Sequence, residues 1–541
     1  MAAFESGAVA GVSLSAPRID THLSHVFLTR ERAYKLKRAV RLPFVDFSTI
    51  ERRRAACEAE LAVNRRMGSR LYIGVLPVIA DGAGAFRLGG AGEPIDWVVE
   101  MHRFDQSLQF DELARANRLT APLIEASADR IAQAHAALAP QRDDALAPDY
   151  PALIDTLFET DVHGRTRHGL ARPGGELFRA LRDEHRRLAA LLEQRRLGGQ
   201  VRRCHGDLHL RNLCIFDGEL TMFDALEFDD RLATIDVLYD LAFLLMDLRF
   251  RGLDLLANLA MNRYWDRASQ PPAALATLPF FMALRACVRM AVASEAGDAG
   301  EADRYQVLAG ELLRRPTPRL VAIGGLSGVG KSVIARQVAA RLPGPAGARL
   351  LRTDVLRKQR DSEHPPEMFT AGAADYTPGA RAKVYAAMFA QAAEAIAAGS
   401  AVILDATFQN DAARSLLSRH DQGAIGIWLD APLGFACGGS QPAAAMPRTP
   451  VSMWPWRSNY RPSSVADGIG SMPTARSRSW PNASCSVWHD PRRAYRAGLG
   501  SVCQALTVRN RRASRPMPST GRSRRQRLAC ASSCRAQNSS L

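Results

Sequence analysis

Apolar and polar residues alternate in short runs over the first hundred positions and then fall into a longer period. Residues 25–28 and 33–40 are two such runs around the polar turn Thr29-Arg30-Glu31-Arg32, which predicts a β-hairpin. Residues 47–67 set apolar side chains at helical spacing among Ala, Glu and Arg, so a helix is expected next. Residues 71–79 and 97–101 read as further strands on either side of a glycine-rich turn at 81–92. From 110 to 313 the pattern is helical, apart from a strand-loop-strand island at 201–223. Strands first and helices afterwards predict a two-lobed α+β domain over 15–313.

The run Arg314-Arg315-Pro316-Thr317-Pro318-Arg319 stops the helical pattern with two prolines and predicts a linker at 314–319. A different rhythm follows. Strand-like runs at 320–323, 349–353, 401–404 and 425–429 alternate with a glycine-rich loop at 324–330 and helices at 332–342 and 380–398. That alternation predicts an α/β domain with a parallel sheet over 320–433, with 425–429 as its last strand.

Charge changes the picture at one end only. The chain of 541 residues carries +16, but residues 434–541 hold seventeen arginines, no lysine and two acids, which leaves +1 for residues 1–433. A basic partner surface is therefore not a property of the two domains. The tail also holds five of the nine cysteines and four of the seven tryptophans. Arginine without lysine fits codon bias in a GC-rich gene better than selection for a fold, so 434–541 is expected to be out of frame or disordered. The rival reading is a genuine basic arm that binds nucleic acid. Cys57, Cys204, Cys214 and Cys287 are scattered, as free thiols in a reducing compartment would be. Neither a signal peptide nor a membrane span is expected: the apolar stretch 235–248 is broken by Asp236, Asp240 and Asp247. A cytoplasmic location is expected.

The densest chemistry lies in Cys204-His205-Gly206-Asp207-Leu208-His209-Leu210-Arg211-Asn212, followed by Phe223-Asp224. Phosphoryl transfer needs a carboxylate to position the acceptor and oxygen ligands for Mg²⁺ on the nucleotide phosphates. Asp207 suits the first role as base or positioner, and Asn212 and Asp224 suit the second, at the spacing of a kinase catalytic loop and its metal-binding Asp. A zinc cluster of Cys204, His205, His209 and Cys214 lacks paired C-x₂-C spacing and leaves Asp207 and Asn212 unexplained.

The string His205-Gly206-Asp207-x-His209-x-x-Asn212 resembles the catalytic loop of the aminoglycoside phosphotransferase-like branch of the protein-kinase-like fold. The resemblance brings in His205 as a catalytic candidate beside Asp207, the alternative being a satisfied core histidine, and extends to Asp236 and Asp240. It also implies a nucleotide-binding lysine on the hairpin, with Lys37 favoured over Lys35, and an acid from the first helix to pair with it, Glu60 or Glu58. Val98-Val99-Glu100-Met101 would then be the hinge facing adenine. In one respect the chain departs from the pattern: Thr21-His22-Leu23-Ser24 stands where a glycine-rich loop would be, so backbone N–H groups and these hydroxyls would have to cover the phosphates.

Gly325-Leu326-Ser327-Gly328-Val329-Gly330-Lys331-Ser332 matches the P-loop pattern between an apolar strand and a helix. Gly325, Gly328 and Gly330 let the backbone wrap phosphates, Lys331 reaches the β- and γ-phosphates, and Ser332 offers a hydroxyl to Mg²⁺. Asp354 and Asp405 are expected at strand ends, where open α/β sheets bind ligands, Asp405 in the Walker-B position on the metal. Asp354-x-x-Arg357 is similar to the pair in small P-loop kinases that act on hydroxyls, of the zeta-toxin and gluconate-kinase type. That makes Asp354 a candidate base and Arg357 a substrate or phosphate contact, unless Asp354 simply caps a helix.

Together the two segments resemble bacterial bifunctional aminoglycoside phosphotransferase-like/P-loop ATP-binding proteins over about residues 15–433. The expectation is an ATP- and Mg²⁺-dependent phosphotransferase acting on a small-molecule hydroxyl, with a second ATP site. A nucleotide-sensing regulator without turnover and a nucleic-acid end kinase are the alternatives. P-loop kinases of this kind continue into an Arg- and Glu-rich helix and a lid, which 434–541 does not resemble.

Overall fold

In the first lobe the alternating pattern becomes a sheet that is antiparallel except at one edge. Its strands are β1 (Val9–Ala10), β2 (Ile19–Asp20), β3 (Ser24–Leu28), β4 (Arg32–Lys37), β5 (Arg41–Leu42), β6 (Val45–Asp46), β7 (Tyr72–Ala80), β8 (Phe86–Leu88) and β9 (Pro94–His102). Seven of them form one sheet in the order β1-β8-β7-β9-β4-β3-β2, in which β1 runs parallel to β8, and β5 pairs with β6 apart from it. The expected hairpin is the β3–β4 pair, Ser24 opposite Lys37 and Leu28 opposite Ala33. The sheet takes in residues ahead of the expected start at 15, and Phe4 stacks on Phe27 with ring centroids 4.3 Å apart. Helix α1 (Ile50–Arg66) begins where the Thr49 hydroxyl accepts the Arg52 N–H, an N-cap, and packs on β7 and β9. The computed structural model describes residues 4, 8–21, 23–42, 45–80, 85–171, 175–363, 378–409, 411–420, 423–429 and 451–453.

The expected hinge needs correcting. Val98–Met101 lies inside β9, with Val98 opposite Leu36 and Leu76 and Met101 opposite Ala33 and Tyr72, so it is paired on both sides. Alternation cannot separate a central strand from the segment that leaves it, and the chain leaves this sheet only after His102.

The second lobe is helical: α2 (Phe110–Arg115), α3 (Ala121–Ala137), α4 (Tyr150–Arg167), α5 (Glu176–Leu197), α6 (Asp230–Ala233), α7 (Val237–Phe250), α8 (Asp254–Ala268), α9 (Leu278–Glu295) and α10 (Ala299–Leu312). Between α5 and α7 run two antiparallel pairs, β10 (Val201–Arg203) with β13 (Thr234–Asp236) and β11 (Leu213–Phe216) with β12 (Glu219–Met222). Every residue of α7 from Val237 to Leu248 is buried, which explains why its sequence shows no polar face. The stretch Pro272–Glu295 is long and apolar enough to cross a membrane, with mean hydropathy 1.5, but 78% of that window is buried inside the fold, as a core helix would be.

The P-loop domain contains β14 (Leu320–Gly325), α11 (Lys331–Ala339), β15 (Arg349–Arg352), α12 (Thr353–Glu363), α13 (Pro378–Ala397), β16 (Val402–Asp405), α14 (Asp411–His420), β17 (Ile425–Leu429) and β18 (Val451–Met453). The sheet order is β15-β16-β14-β17-β18, parallel except for the last pair. Two expectations change. The second strand stops at Arg352, and Thr353 already belongs to a helix. Ile425–Leu429 is not the last strand, because Val451–Met453 pairs antiparallel with it. The remainder of 434–541, and the expectation of an out-of-frame or disordered tail, lies outside the described residues.

The two domains share one apolar core, in which Phe243, Phe280 and Met261 belong to the same packed cluster as Leu320, Phe389 and Leu404. At its margin α8 lies along β15, the edge strand of the second sheet. Asn262 Oδ1 accepts the Leu350 N–H at 2.7 Å, and Asn262 Nδ2 donates to the Ala348 carbonyl at 3.1 Å. Asn258 Nδ2 donates to the carbonyls of Ala346 and Ala348, and Arg349 reaches Asp266 at 2.6 Å. Asn258, Asn262 and Asp266 stand four residues apart on one helix face, so the two asparagines answer backbone groups in and just before a strand that has a neighbour on one side only, and Asp266 takes the Arg349 side chain.

Candidate phosphate-handling sites

The turn that carries Asp207 is fixed from beneath. Gly206 has φ +84°, and a Cβ there would stand 2.8 Å from Leu226 Cδ1, so glycine is required on both counts. Asp240, fully buried in the first turn of α7, accepts the N–H of Gly206 at 2.9 Å and that of His205 at 3.2 Å. His135 Nε2 lies 3.1 Å from Asp240, and its Nδ1 lies 2.8 Å from the Tyr264 hydroxyl. Asp236 caps α7 and binds Arg195 through two 2.7 Å contacts. Asp240 anchors the loop from below, and Asp236 fixes the start of the helix that carries Asp240.

Asp207 is one-third exposed at its side chain, and Asn212 Nδ2 donates to its carboxylate at 2.9 Å and to its carbonyl at 2.8 Å. His209 Nε2 lies 3.3 Å from the same carboxylate. Burial pushes this carboxyl upward, but His209 and more distant cations outweigh it, so the group sits well below the usual carboxylate range. His205 is fully buried. Its Nε2 meets the Phe223 carbonyl at 2.9 Å and its Nδ1 accepts the Asp207 N–H at 3.3 Å, while burial lowers its pKa despite the pull of Asp240. The catalytic expectation for His205 is therefore corrected: it is a neutral strut between the loop and the end of β12.

Across the cleft, Lys35 Nζ donates to Glu60 Oε1 at 2.8 Å and to Asp224 Oδ1 at 2.6 Å. Lys37 Nζ donates to Glu60 Oε2 at 2.5 Å and to Glu227. Both lysines lie on one face of β4, yet only Lys35 meets Asp224. Glu58 instead pairs with Arg54 on the helix surface. Asp224 stands just past β12 at φ +60°, a left-handed conformation that Asp tolerates, and its N–H donates to the Tyr72 hydroxyl at 3.1 Å. Ala225 N–H donates to Asn64 on α1 at 3.1 Å. Glu227 carries no motif signal; only its closure onto Lys37 reveals it. Of the hydroxyls expected to cover phosphates, Thr21 Oγ1 is engaged locally, with both the N–H and the carbonyl of Ser24, and the Ser24 hydroxyl is buried. His22 lies outside the described residues.

Divalent-cation chemistry fits these residues. Asn212 spends its amide nitrogen on Asp207, leaving its oxygen for a cation, and Asp224 is 45% exposed at its side chain, so both offer the hard oxygen donors that Mg²⁺ takes. The zinc reading does not fit, since His205 and His209 spend ring nitrogens on loop hydrogen bonds. Among the described residues, donor atoms of His135, Cys204 and Asp240 also lie within 4.8 Å of one another, but His135 and Asp240 are committed to the hydrogen bonds above.

In the second domain Gly325, Gly328 and Gly330 all have positive φ, and a Cβ on Gly325 would meet the Leu429 carbonyl oxygen at 2.5 Å. Gly330 precedes α11, so the loop opens onto a helix N-terminus. Ser332 Oγ donates to Asp405 Oδ2 at 2.6 Å, and Lys331 Nζ donates to the Leu326 carbonyl at 2.6 Å. Burial raises the Asp405 carboxyl and lowers the Lys331 ammonium. Asp354 lies in the first turn of α12 rather than at a strand end, exposed and 3.8 Å from Arg357. A cavity of about 810 Å³ opens among Arg249, Leu253, Arg314 and Arg341, and it shares no lining residue with either site.

A family model described as "Phosphotransferase enzyme family" matches residues 30–274, and one described as "AAA domain" matches 320–423. The chain is similar to the uncharacterized protein Rv2004c of Mycobacterium tuberculosis (strain H37Rv), with 30% identity over 424 residues that cover 74% of this chain and 80% of that protein. Protein Mb2027c of Mycobacterium bovis matches at the same level. Among solved structures it resembles a choline/ethanolamine kinase family protein from Mesorhizobium loti (TM-score 0.37, 14% identity, 57% of this chain and 90% of that one). It also resembles a thermostable mutant of aminoglycoside phosphotransferase APH(4)-Ia (TM-score 0.33, 14% identity, 55% and 94%).

Proposed function

This chain belongs to the same family as those mycobacterial proteins and is a kinase-type phosphotransferase, a phosphotransferase domain followed by an AAA domain; from that premise we propose that it moves the γ-phosphoryl of ATP to a hydroxyl of a small molecule. The observation that carries this reading is Lys35, which holds Glu60 and Asp224 at once although 189 residues separate it from the second. A hairpin lysine, a helix acid and a post-strand Asp joined in this way are the parts a kinase needs assembled before transfer.

In this reading Lys35 would bind phosphate oxygens, and Asn212 and Asp224 would hold a Mg²⁺ that supplies charge neutralisation for the transferring group. Asp207 receives the acceptor hydroxyl. A carboxylate held so low is ionised throughout the physiological range and is a weak base early in the reaction. Its work is to aim the oxygen and to take the proton as the new P–O bond forms, which suits a loose transition state. Asn212 and His209 keep it turned towards the cleft. In the second domain Lys331, Ser332 and Asp405 would bind another nucleotide with its metal, with Asp354 and Arg357 at the acceptor side.

The test is an ATP-consumption assay of the full chain against a panel of hydroxyl metabolites. An acceptor-dependent rate that Asp207→Ala removes supports the proposal. No acceptor-dependent rate, with basal turnover unchanged in Asp207→Ala, overturns it.

A further inference from the structure

Lys37 has a chemical position unlike that of its neighbour. Its side chain is 1% exposed, and its ammonium sits between Glu60 and Glu227. It also lies 5.5 Å from the centre of the Phe47 ring. Glu60, itself fully buried, gives one oxygen to each lysine. Glu227 follows Asp224 by three residues and is 6% exposed. A buried ammonium is tolerated only when its charge is answered, and Lys37 is answered twice. Lys37 thus ties the hairpin both to α1 and to the segment that carries Asp224.

We infer that Lys37 and Glu227 are positioning residues, a buried clamp that holds Glu60 and the Asp224 turn in register so that Lys35 alone serves the nucleotide. The inference rests on the proposed phosphotransfer at Asp207. Lys37 occupies the second oxygen of Glu60, so the carboxylate keeps its pair with Lys35 through one oxygen and cannot close on Lys35 with both. The turn from Asp224 to Glu227 is held at both ends, by Lys35 at one and Lys37 at the other. Tyr72 and Asn64 hold the backbone between and beside them. With that clamp the helix acid stays docked whether or not nucleotide is bound, and a covering glycine-rich loop is not needed to assemble the site.

The test uses the full chain with Lys331→Ala, which confines nucleotide binding to the first site, and titrates Mg·AMP-PNP alongside Mg·ATP turnover. Glu227→Gln is expected to weaken nucleotide affinity and raise KM by about 10–100-fold, the range for residues that orient a metal ligand, with a smaller change in kcat, both read at a temperature where the variant is folded. Lys37→Arg should restore most of the affinity that Lys37→Met loses. Should Glu227→Gln fail to fold, Lys37→Met with Glu227→Leu removes both charges together and is expected to show the same KM-weighted loss. Wild-type affinity in Glu227→Gln or in the double variant overturns the inference, as does a Lys37→Met defect in binding equal to that of Lys35→Met. Binding of Mg·AMP-PNP does not require turnover, so these outcomes stand even if the phosphotransfer reading fails its own Asp207→Ala test.

Discussion

Asp240 accepts the Gly206 N–H at 2.9 Å from a position with no solvent exposure, and the turn that carries Asp207 rests on that contact. Asp240→Ala would leave the N–H groups of His205 and Gly206 buried without an acceptor. We expect a loss of about 1–3 kcal/mol for each orphaned donor, read by urea unfolding. Turnover in the fraction that stays folded should fall too, because Asp207 rides on the same turn. Unaltered stability and turnover would show that the turn holds itself.

The acid limb of stability should follow Glu60. Burial pushes its carboxyl up, but Lys35 and Lys37 outweigh that and bring it down to about 2. A lowered carboxyl stabilises the fold above its unfolded value and loses that contribution as pH falls through the folded value. The window therefore runs from about pH 4.5 down to about 2. Lys35 and Lys37 are shifted upward, burial being outweighed by Asp224, Glu60 and Glu227, so their contribution is present below pH 10 and fails only above it. Glu60→Gln should be less stable than wild type at pH 7, with the gap closing below pH 4.5. A gap that stays constant to pH 3 would count against the ion network.

The α8–β15 seam should make the two domains one unfolding unit. Asn262→Ala removes the side-chain partner of the Leu350 N–H and one of two donors to the Ala348 carbonyl, which we expect to cost about 1–3 kcal/mol. Calorimetry of the wild type should give one transition. Residues 320–541 expressed alone should aggregate through the bared edge of β15. Soluble, monomeric 320–541 would show that the edge does not depend on α8.

Nucleotide stoichiometry should separate the two sites. Equilibrium dialysis with Mg·AMP-PNP is expected to give two nucleotides per chain in the wild type and one in Lys331→Ala. Lys35→Ala should also give one, and the double variant none. A stoichiometry of one that Lys331→Ala leaves unchanged would mean the P-loop does not bind nucleotide.

The parts of this arrangement fixed by local rules were legible in the sequence. Gly206, Gly328 and Gly330 were legible as turn positions because glycine takes their positive φ without strain. Asn212 and Asp224 keep their spacing because a short strand pair, β11–β12, separates them, and Asp207 and Asn212 share one tight loop. What depends on tertiary distance was not legible. Strand parity puts Lys35 and Lys37 on one face but says nothing about which is nearer Asp224, and Glu227 is invisible until the chain closes. Asp354 moved from a strand end into a helix because β15 stops one residue sooner than its apolar pattern suggests. The row Asn258, Asn262 and Asp266 did leave a signal, polar residues at four-residue spacing, with Asn258 and Asn262 buried among the apolar positions of the helix as in a polar seam.

That seam bears on how such a protein can change over time. A P-loop sheet whose boundary strand is answered by the helix of another domain cannot be exchanged for a foreign one by splicing at residues 314–319. The incoming domain would need amides in register with Asn258 and Asn262 and a cation opposite Asp266. Heredity of the two halves is linked by hydrogen-bond register, and chimeras cut at the prolines should inherit a mismatch there.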